Sequence, residues 1–405
     1  CTKKETSKIS KNDGSMGAST ADDMGTPEKA PPVMAPAMAV EKPVEKPVPK
    51  PVEKPRVVEK PKVSIWDQPV AKLPKEMQDI FDTLKGRPFS KKFRRVDNEH
   101  YYKGNETRYD LWYKYIKDLG GAYVGVGPDQ NYSFIGVSKP KIVVLMDYDI
   151  QVLATHKMYM LLTKKAKTPG DVYKWLGRKY RKQVAKWADE AYDKFWARWV
   201  KSIHSGAGEF VRKHHKQRLY AAKKKGHHYW LSDQAIFDVW KQLVEADRIK
   251  TVLGDLREGV TMTEIGKVLK QMNITVGVQY FSNAEEFWFY PDAFRKSNLA
   301  MPYTDKTMLI RSIVLGRKWA IGFKFHYCIQ KGLDFWEWMR FPGKISSNSI
   351  AKLHRIPLEG TKYLSRLPGL PADAKQDPKT YLDKKVKKVN RGLKRNKDLK
   401  KKKKK

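Results

Sequence analysis

Ala122-Tyr123-Val124-Gly125-Val126-Gly127-Pro128-Asp129-Gln130-Asn131, with Ile142-Val143-Val144-Leu145-Met146-Asp147-Tyr148-Asp149 close behind it, is the stretch that decides the fold. Each apolar run is short and rich in β-branched residues. Each is closed by turn-forming or acidic residues, the pattern of a buried strand. Residues 129–138 between the runs predict a short helix. A second helix is predicted over 149–165, where Ile150, Leu153, Ala154, Met158 and Leu161 recur at helical spacing. Strand, glycine turn, helix, strand and acid together make a βαβ unit.

Toward the C-terminus the pattern repeats. Arg248 to Leu253 reads as a third strand ending in Gly254-Asp255, and Thr261 with Glu264 as the capping box of the next helix. Ile274 to Val278 reads as a fourth strand leading into Tyr280-Phe281-Ser282-Asn283, and Met308 to Leu315 as a fifth. This alternation predicts an α/β fold with a mostly parallel sheet and helices on both faces. Ligands of such sheets bind beyond the carboxyl ends of the strands. There, Gly125 and Gly127 allow close backbone approach. Asp147 follows about twenty residues on, the offset of a carboxylate that takes ribose hydroxyls. Asp255 and Asn283 end the next two strands and converge on the same crevice. Asp129, Gln130 and Asn131 either join them or cap the orphan amides of the helix.

The order of glycine loop, acid after strand two, Gly-Asp after strand three and polar residue after strand four resembles the class I methyltransferase-like Rossmann fold. The resemblance implies that these positions, Gly125, Gly127, Asp129, Gln130, Asn131, Asp147, Asp255 and Asn283, hold S-adenosylmethionine, with Asn283 nearest the target. More narrowly, Asn105-Glu106-Thr107-Arg108-Tyr109-Asp110-Leu111 leading into Gly125-Val126-Gly127-Pro128-Asp129-Gln130-Asn131-Tyr132 resembles an uncharacterised bacterial family with a GVGxDQNY signature. The matching blocks, about 105–165 and 249–315, are less than half of the chain. Two departures count against catalysis: Tyr123 stands where the loop usually begins with an acid, and Asp129 replaces its third glycine. No catalytic residue is therefore assigned.

The flanks carry different chemistry. Residues 166–248 form a large insertion between strands two and three. Thr168-Pro169-Gly170-Asp171 starts a helix there. An apolar stripe follows through Val172, Trp175, Leu176, Val184, Trp187, Ala188, Ala191, Phe195 and Trp199, with lysines largely off it. Such a helix packs on its own domain or lies on an anionic membrane. The basic run from His214-His215-Lys216 to His227-His228 reads as a polyanion-binding loop whose charge rises as pH falls. Its lysines would repel a cation, so no metal is expected. Phe335-Trp336-Glu337-Trp338-Met339-Arg340-Phe341 reads as core, with stacking on sugars or bases the alternative. Cys328, among apolar neighbours, reads as a small core hydrophobe.

The chain starts at Cys1 and runs through small polar residues into a Pro/Lys-rich segment, so that residues 1–62 read as a disordered tether. Roughly thirty of them, in polyproline II at about 3.1 Å each, would span about 100 Å. This resembles a processed bacterial lipoprotein acylated at Cys1, and implies a membrane-anchored address in the envelope, at the outer membrane or facing the periplasm. The folded domain is expected over 63–375 and a disordered Lys-rich tail over 376–405. Lys+Arg number 82 against 44 Asp+Glu, a net charge of +38, which favours polyanions in a salt-dependent way. No run approaches the roughly 18 apolar residues of a membrane-spanning helix. The leading expectation is an envelope lipoprotein whose methyltransferase-like domain is a non-catalytic binding or structural module contacting an anionic surface or partner. The alternatives are an active S-adenosylmethionine-dependent methyltransferase and a nucleic-acid binder acting through its tail. An exported domain would not meet cytosolic S-adenosylmethionine, which weighs against methyl transfer.

Overall fold

The computed structural model describes residues 65–90, 100–315, 325–358, 360–389 and 391. The chain divides into two units, Cys1–Pro61 and Lys62–Lys405, and every described residue belongs to the second. Cys1, the Pro/Lys-rich tether and the lysines after residue 391 lie outside the described residues.

Helix α1 (Lys75–Asp82) is followed by α2 (Asp110–Ile116), and then by β1 (Ala122–Val126), α3 (Gln130–Ser138), β2 (Ile142–Asp147) and α4 (Ile150–Lys165). The insertion comes next as α5 (Pro169–Trp175), α6 (Arg181–Ala191), α7 (Lys194–Lys225) and α8 (Gln234–Glu245). The sheet resumes with β3 (Ile249–Leu253), α9 (Val260–Gln271), β4 (Val276–Ser282), α10 (Asp292–Leu299) and β5 (Met308–Ile313). It closes with β6 (His326–Lys331), α11 (Gly332–Arg340), α12 (Ser347–His354), β7 (Ile356–Pro357) and β8 (Leu364–Arg366), then the short α13 (Ala372–Gln376) and α14 (Pro378–Tyr381).

The eight strands form one sheet ordered 3-2-1-4-5-6-8-7. β1 to β5 are parallel, β6 runs antiparallel to β5, and β8 runs parallel to β6. Chain order reverses between β1 and β4, the switch point at which doubly wound sheets open a crevice. Alternate residues of a strand face opposite sides, with one shift of phase in β4, where a register irregularity separates Val276 from Val278. Tyr123, Val143, Leu145, Val278 and Tyr280 pack under α2, α3, α4 and the insertion. Val124, Val126, Val144, Met146 and Val276 pack under α1, α9, α10 and α11. A sheet covered on both faces explains why β1 and β2 read as unbroken apolar runs.

Several elements differ from the expectations. The stripe from Val172 to Trp199 is three helices, not one, because Gly177 and Tyr192-Asp193 interrupt it; Phe195 then points outward. The basic run from His214 is helix, not loop, as far as Lys225; only its end at His227-His228 lies outside a helix. The helical part belongs to the long helix α7, started by Asp193, whose carboxylate accepts from Trp196 N–H, and stopped by left-handed Gly226. Thr261 and Glu264 form no capping box, since Gly259 caps α9. Instead Thr261 Oγ1 donates to Leu253 O, and Glu264 accepts from the N–H groups of Lys85 and Gly86. The fourth strand starts at Val276 and runs on to Ser282. The folded part also continues past the expected boundary at 375: helical turns run through residue 389, and Tyr381 and Val386 are buried.

Both edges of the sheet are blunted. The outer strand β3 has Arg87 N–H on Leu253 O and the Arg248 guanidinium on Ala71 O. The other outer strand, β7, is two residues long and contains Pro357, which has no N–H to offer.

Candidate functional site

The crevice lies past the carboxyl ends of β1, β2, β3 and β4. Gly127 and Pro128 line it from the first turn, Asp147, Tyr148 and Asp149 from the second, Gly254 to Arg257 from the third, and Ser282, Asn283, Ala284 and Trp288 from the fourth. Tyr101, Lys103, Gly104 and Asn105 form its outer wall. The βα turns deliver these groups because every parallel strand ends on the same edge.

Asp147 is the centre of the site. Its Oδ2 accepts from Gly127 N–H at 3.2 Å and its Oδ1 from Asp149 N–H at 2.9 Å. Burial pushes its pKa up to about 7, so a proton is exchanged there near neutrality. Gly127 adopts φ +77°, a left-handed conformation that a side chain would strain. Asp149 caps α4 by accepting from Gln151 N–H, and its other oxygen pairs with His100 Nδ1 at 2.5 Å. Asp255 grips the Arg257 guanidinium through both oxygens, at 2.5–3.1 Å. Asp255 thus pairs with the Arg257 guanidinium and Asp149 with the His100 imidazole, whereas Asp147 accepts from the backbone N–H groups of Gly127 and Asp149. Asn283 is held loosely, its Oδ1 3.5 Å from Asn105 Nδ2.

The structure separates the sequence candidates. Gly127, Gln130, Asp147, Asp255 and Asn283 line the crevice; Gly125, Asp129 and Asn131 do not. Asn131 is a buried bracket: its Nδ2 donates to the carbonyls of Val126, Gly127 and Pro128, and its Oδ1 accepts from Tyr123 OH. Gly125 is glycine because a Cβ would lie 2.0 Å from Asn131 Oδ1. Asp129 is buried behind the wall, where Oδ1 accepts from Gly104 N–H, and it makes no side-chain cap to α3. Gln130 Nε2 donates to Tyr280 OH.

Two further residues support the crevice from below. Glu106 Oε1, buried, accepts from the hydroxyls of Tyr280, Ser282 and Ser312 at 2.8–2.9 Å, which ties the outer wall to β4 and β5. His156 Nε2 sits 3.0 Å from Gly127 O and its Nδ1 2.7 Å from Tyr132 OH. Burial lowers its pKa to about 4, so the ring is neutral, with Nε2–H donating to Gly127 and Nδ1 accepting from Tyr132. Glu106 stands in the quoted Asn105–Leu111 block, but no linear spacing marks it; His156 lies on a helix buried nearly all round and carries no sequence signal.

A diphosphate is poorly served here. Pro128 removes one donor from the start of α3, and the Asp129 carboxylate adds negative charge beside it. The floor suits hydroxyls or an amine. Buried His214 and His215 have lowered pKa values, that of His215 about 3, so they are no cationic surface. Among the described residues no His, Cys, Asp or Glu group is placed to hold a metal ion.

No curated protein matches the chain. The sequence profile of the domain of unknown function DUF7790 matches residues 101–367, more than half of the chain, and spans every crevice residue and every strand of the sheet. The chain belongs to the DUF7790 family.

Proposed function

We propose that this is a methyltransferase-like binding module whose crevice takes a small ligand bearing vicinal hydroxyls, as a nucleoside does, and which works at an anionic surface of the cell envelope. The observation that carries the first half is Asp147: a carboxylate at the end of β2, poised at about pH 7, beside a left-handed glycine and away from any phosphate cradle. Vicinal ribose hydroxyls donate to such a group, and a cationic sulfonium is favoured over a diphosphate among these acids. Methyl transfer is the second reading, favoured by the loosely held Asn283 amide at the mouth of β4, where an acceptor would dock. The net charge of +38 supports an anionic surface as the partner, and the envelope address rests on the lipoprotein-like N-terminus.

Calorimetry of the full chain with S-adenosylmethionine, S-adenosylhomocysteine and adenosine tests the crevice, with a dinucleotide as control. Binding of the nucleosides, lost in Asp147→Ala, is expected; no heat from any of them at millimolar concentration removes the assignment. Cell fractionation with mass measurement of the N-terminal peptide tests the envelope address and acylation at Cys1.

A further inference from the structure

Among the described residues, helix α7 has one exposed face. Its 32 residues make a rod about 48 Å long at 1.5 Å per residue. Ala197, Val200, Ala207, Val211 and Ala222 are buried against the domain. The opposite face carries Phe195, Phe210 and Tyr220, exposed to 44%, 52% and 63%. At about 100° per residue, Lys213, Tyr220 and Lys224 fall within about 20° of Phe195. Phe210 lies about 60° to one side, and Arg198 and Lys216 about 60° to the other. None of these four basic side chains has an ion pair among the described residues. The one acid on this face, Glu209, is neutralised by Arg212. Phe89 extends the stripe at one end against Phe195, and Lys103, from the crevice wall, stacks over Phe210 at 5.0 Å.

Rings and bases gathered on one face of a long helix fit a flat anionic surface. A single nucleic-acid strand fits less well: Phe195, Phe210 and Tyr220 stand about 22 and 15 Å apart along the axis, too far for consecutive bases to stack. A bilayer meets all of them at once, lysines at the phosphates and rings at the level of the headgroups. Among the described residues no helix is long and apolar enough to cross a membrane, so the contact is one of surface.

We infer that the outer face of α7 docks on an anionic phospholipid bilayer and holds the crevice wall, through Lys103, beside the headgroups. This deepens the envelope half of the proposed function and rests on it. The test is co-sedimentation of the full chain with vesicles containing phosphatidylglycerol, against vesicles of phosphatidylcholine alone. Each lysine at such a surface contributes about fivefold in affinity, so Lys213→Gln/Lys216→Gln/Lys224→Gln is expected to bind about a hundredfold more weakly with an unchanged melting temperature. Phe210→Ser/Tyr220→Ser, charges intact, is expected to bind more weakly and to be released at lower salt. If the triple variant melts early, Lys213→Gln and Lys216→Gln singly, each about fivefold down, serve instead. Vesicle binding unchanged in these variants overturns the α7 assignment while leaving the envelope reading standing, since the terminal lysines would then carry the contact. Absence of vesicle binding by the unaltered chain, or binding only to a single-stranded oligonucleotide, overturns both.

Discussion

Asp147 and His156 are held by one turn yet respond to pH in opposite senses. Asp147, with its pKa raised by burial to about 7, stays protonated in the folded chain where the unfolded chain would ionise; its burial costs stability as pH rises from about 4 to 7. A ligand that donates hydroxyls needs the ionised form. Affinity is therefore expected to be about tenfold higher at pH 8 than at pH 6, and Asp147→Asn to flatten that profile in calorimetry. His156 is neutral in the fold down to about pH 4, whereas the unfolded chain protonates near 6.5. Its contribution is present above 6.5 and is lost as pH falls toward 4. Urea unfolding at pH 5 should show a loss of about 2 kcal/mol from this ring relative to pH 7, and His156→Gln should lack it. The acids at strand ends were legible because a closing Asp after an apolar run is a local pattern. Glu106 and His156 were not, since their partners lie on β4, β5 and the β1 turn, far off in sequence.

At the scale of elements, legibility followed burial geometry. β1, α3, β2 and β3 were readable because strands covered on both faces become apolar runs closed by turns. The insertion misled because apolar residues at helical intervals continue across the breaks at Gly177 and Tyr192, so α5, α6 and the start of α7 imitate a single rod. β6 went unread: His326, Cys328 and Gln330 mix polar and small groups in a buried strand, and His326 Nε2 pairs with Ser365, distant in sequence. Close packing of α3 on α8 sets a further expectation. A Cβ on Gly136 would meet Ile236 Cγ2 and the Ile236 carbonyl oxygen, each at 2.4 Å, and the latter is backbone that cannot swing away. Gly136→Ala should cost about 1–3 kcal/mol despite the better helix propensity of alanine, read as an earlier thermal melt.

For the molecule as a whole, the C-terminal turns belong to the core, against the expectation of a disordered tail from 376. Tyr381 stacks on His354 and meets Phe341 edge-on, and Val386 is fully buried. Composition hid this: Tyr381, Leu382, Val386 and Val389 among lysines carry too little hydrophobicity to register. A chain ended after Gln376 should lose about 1.5–3 kcal/mol for each of the Tyr381 and Val386 side chains and melt earlier by calorimetry. The charge of +38 left the partner open among polyanions, since net charge carries no address.

The blunted sheet margins have a consequence for handling and evolution alike. With Pro357 on one border and Arg87 and Arg248 laid over the other, neither flank offers a ladder onto which a second copy could graft. Fibre-like growth is thereby discouraged even when molecules crowd together. For the described residues, self-association is left to side-chain surfaces, where ionic strength modulates it.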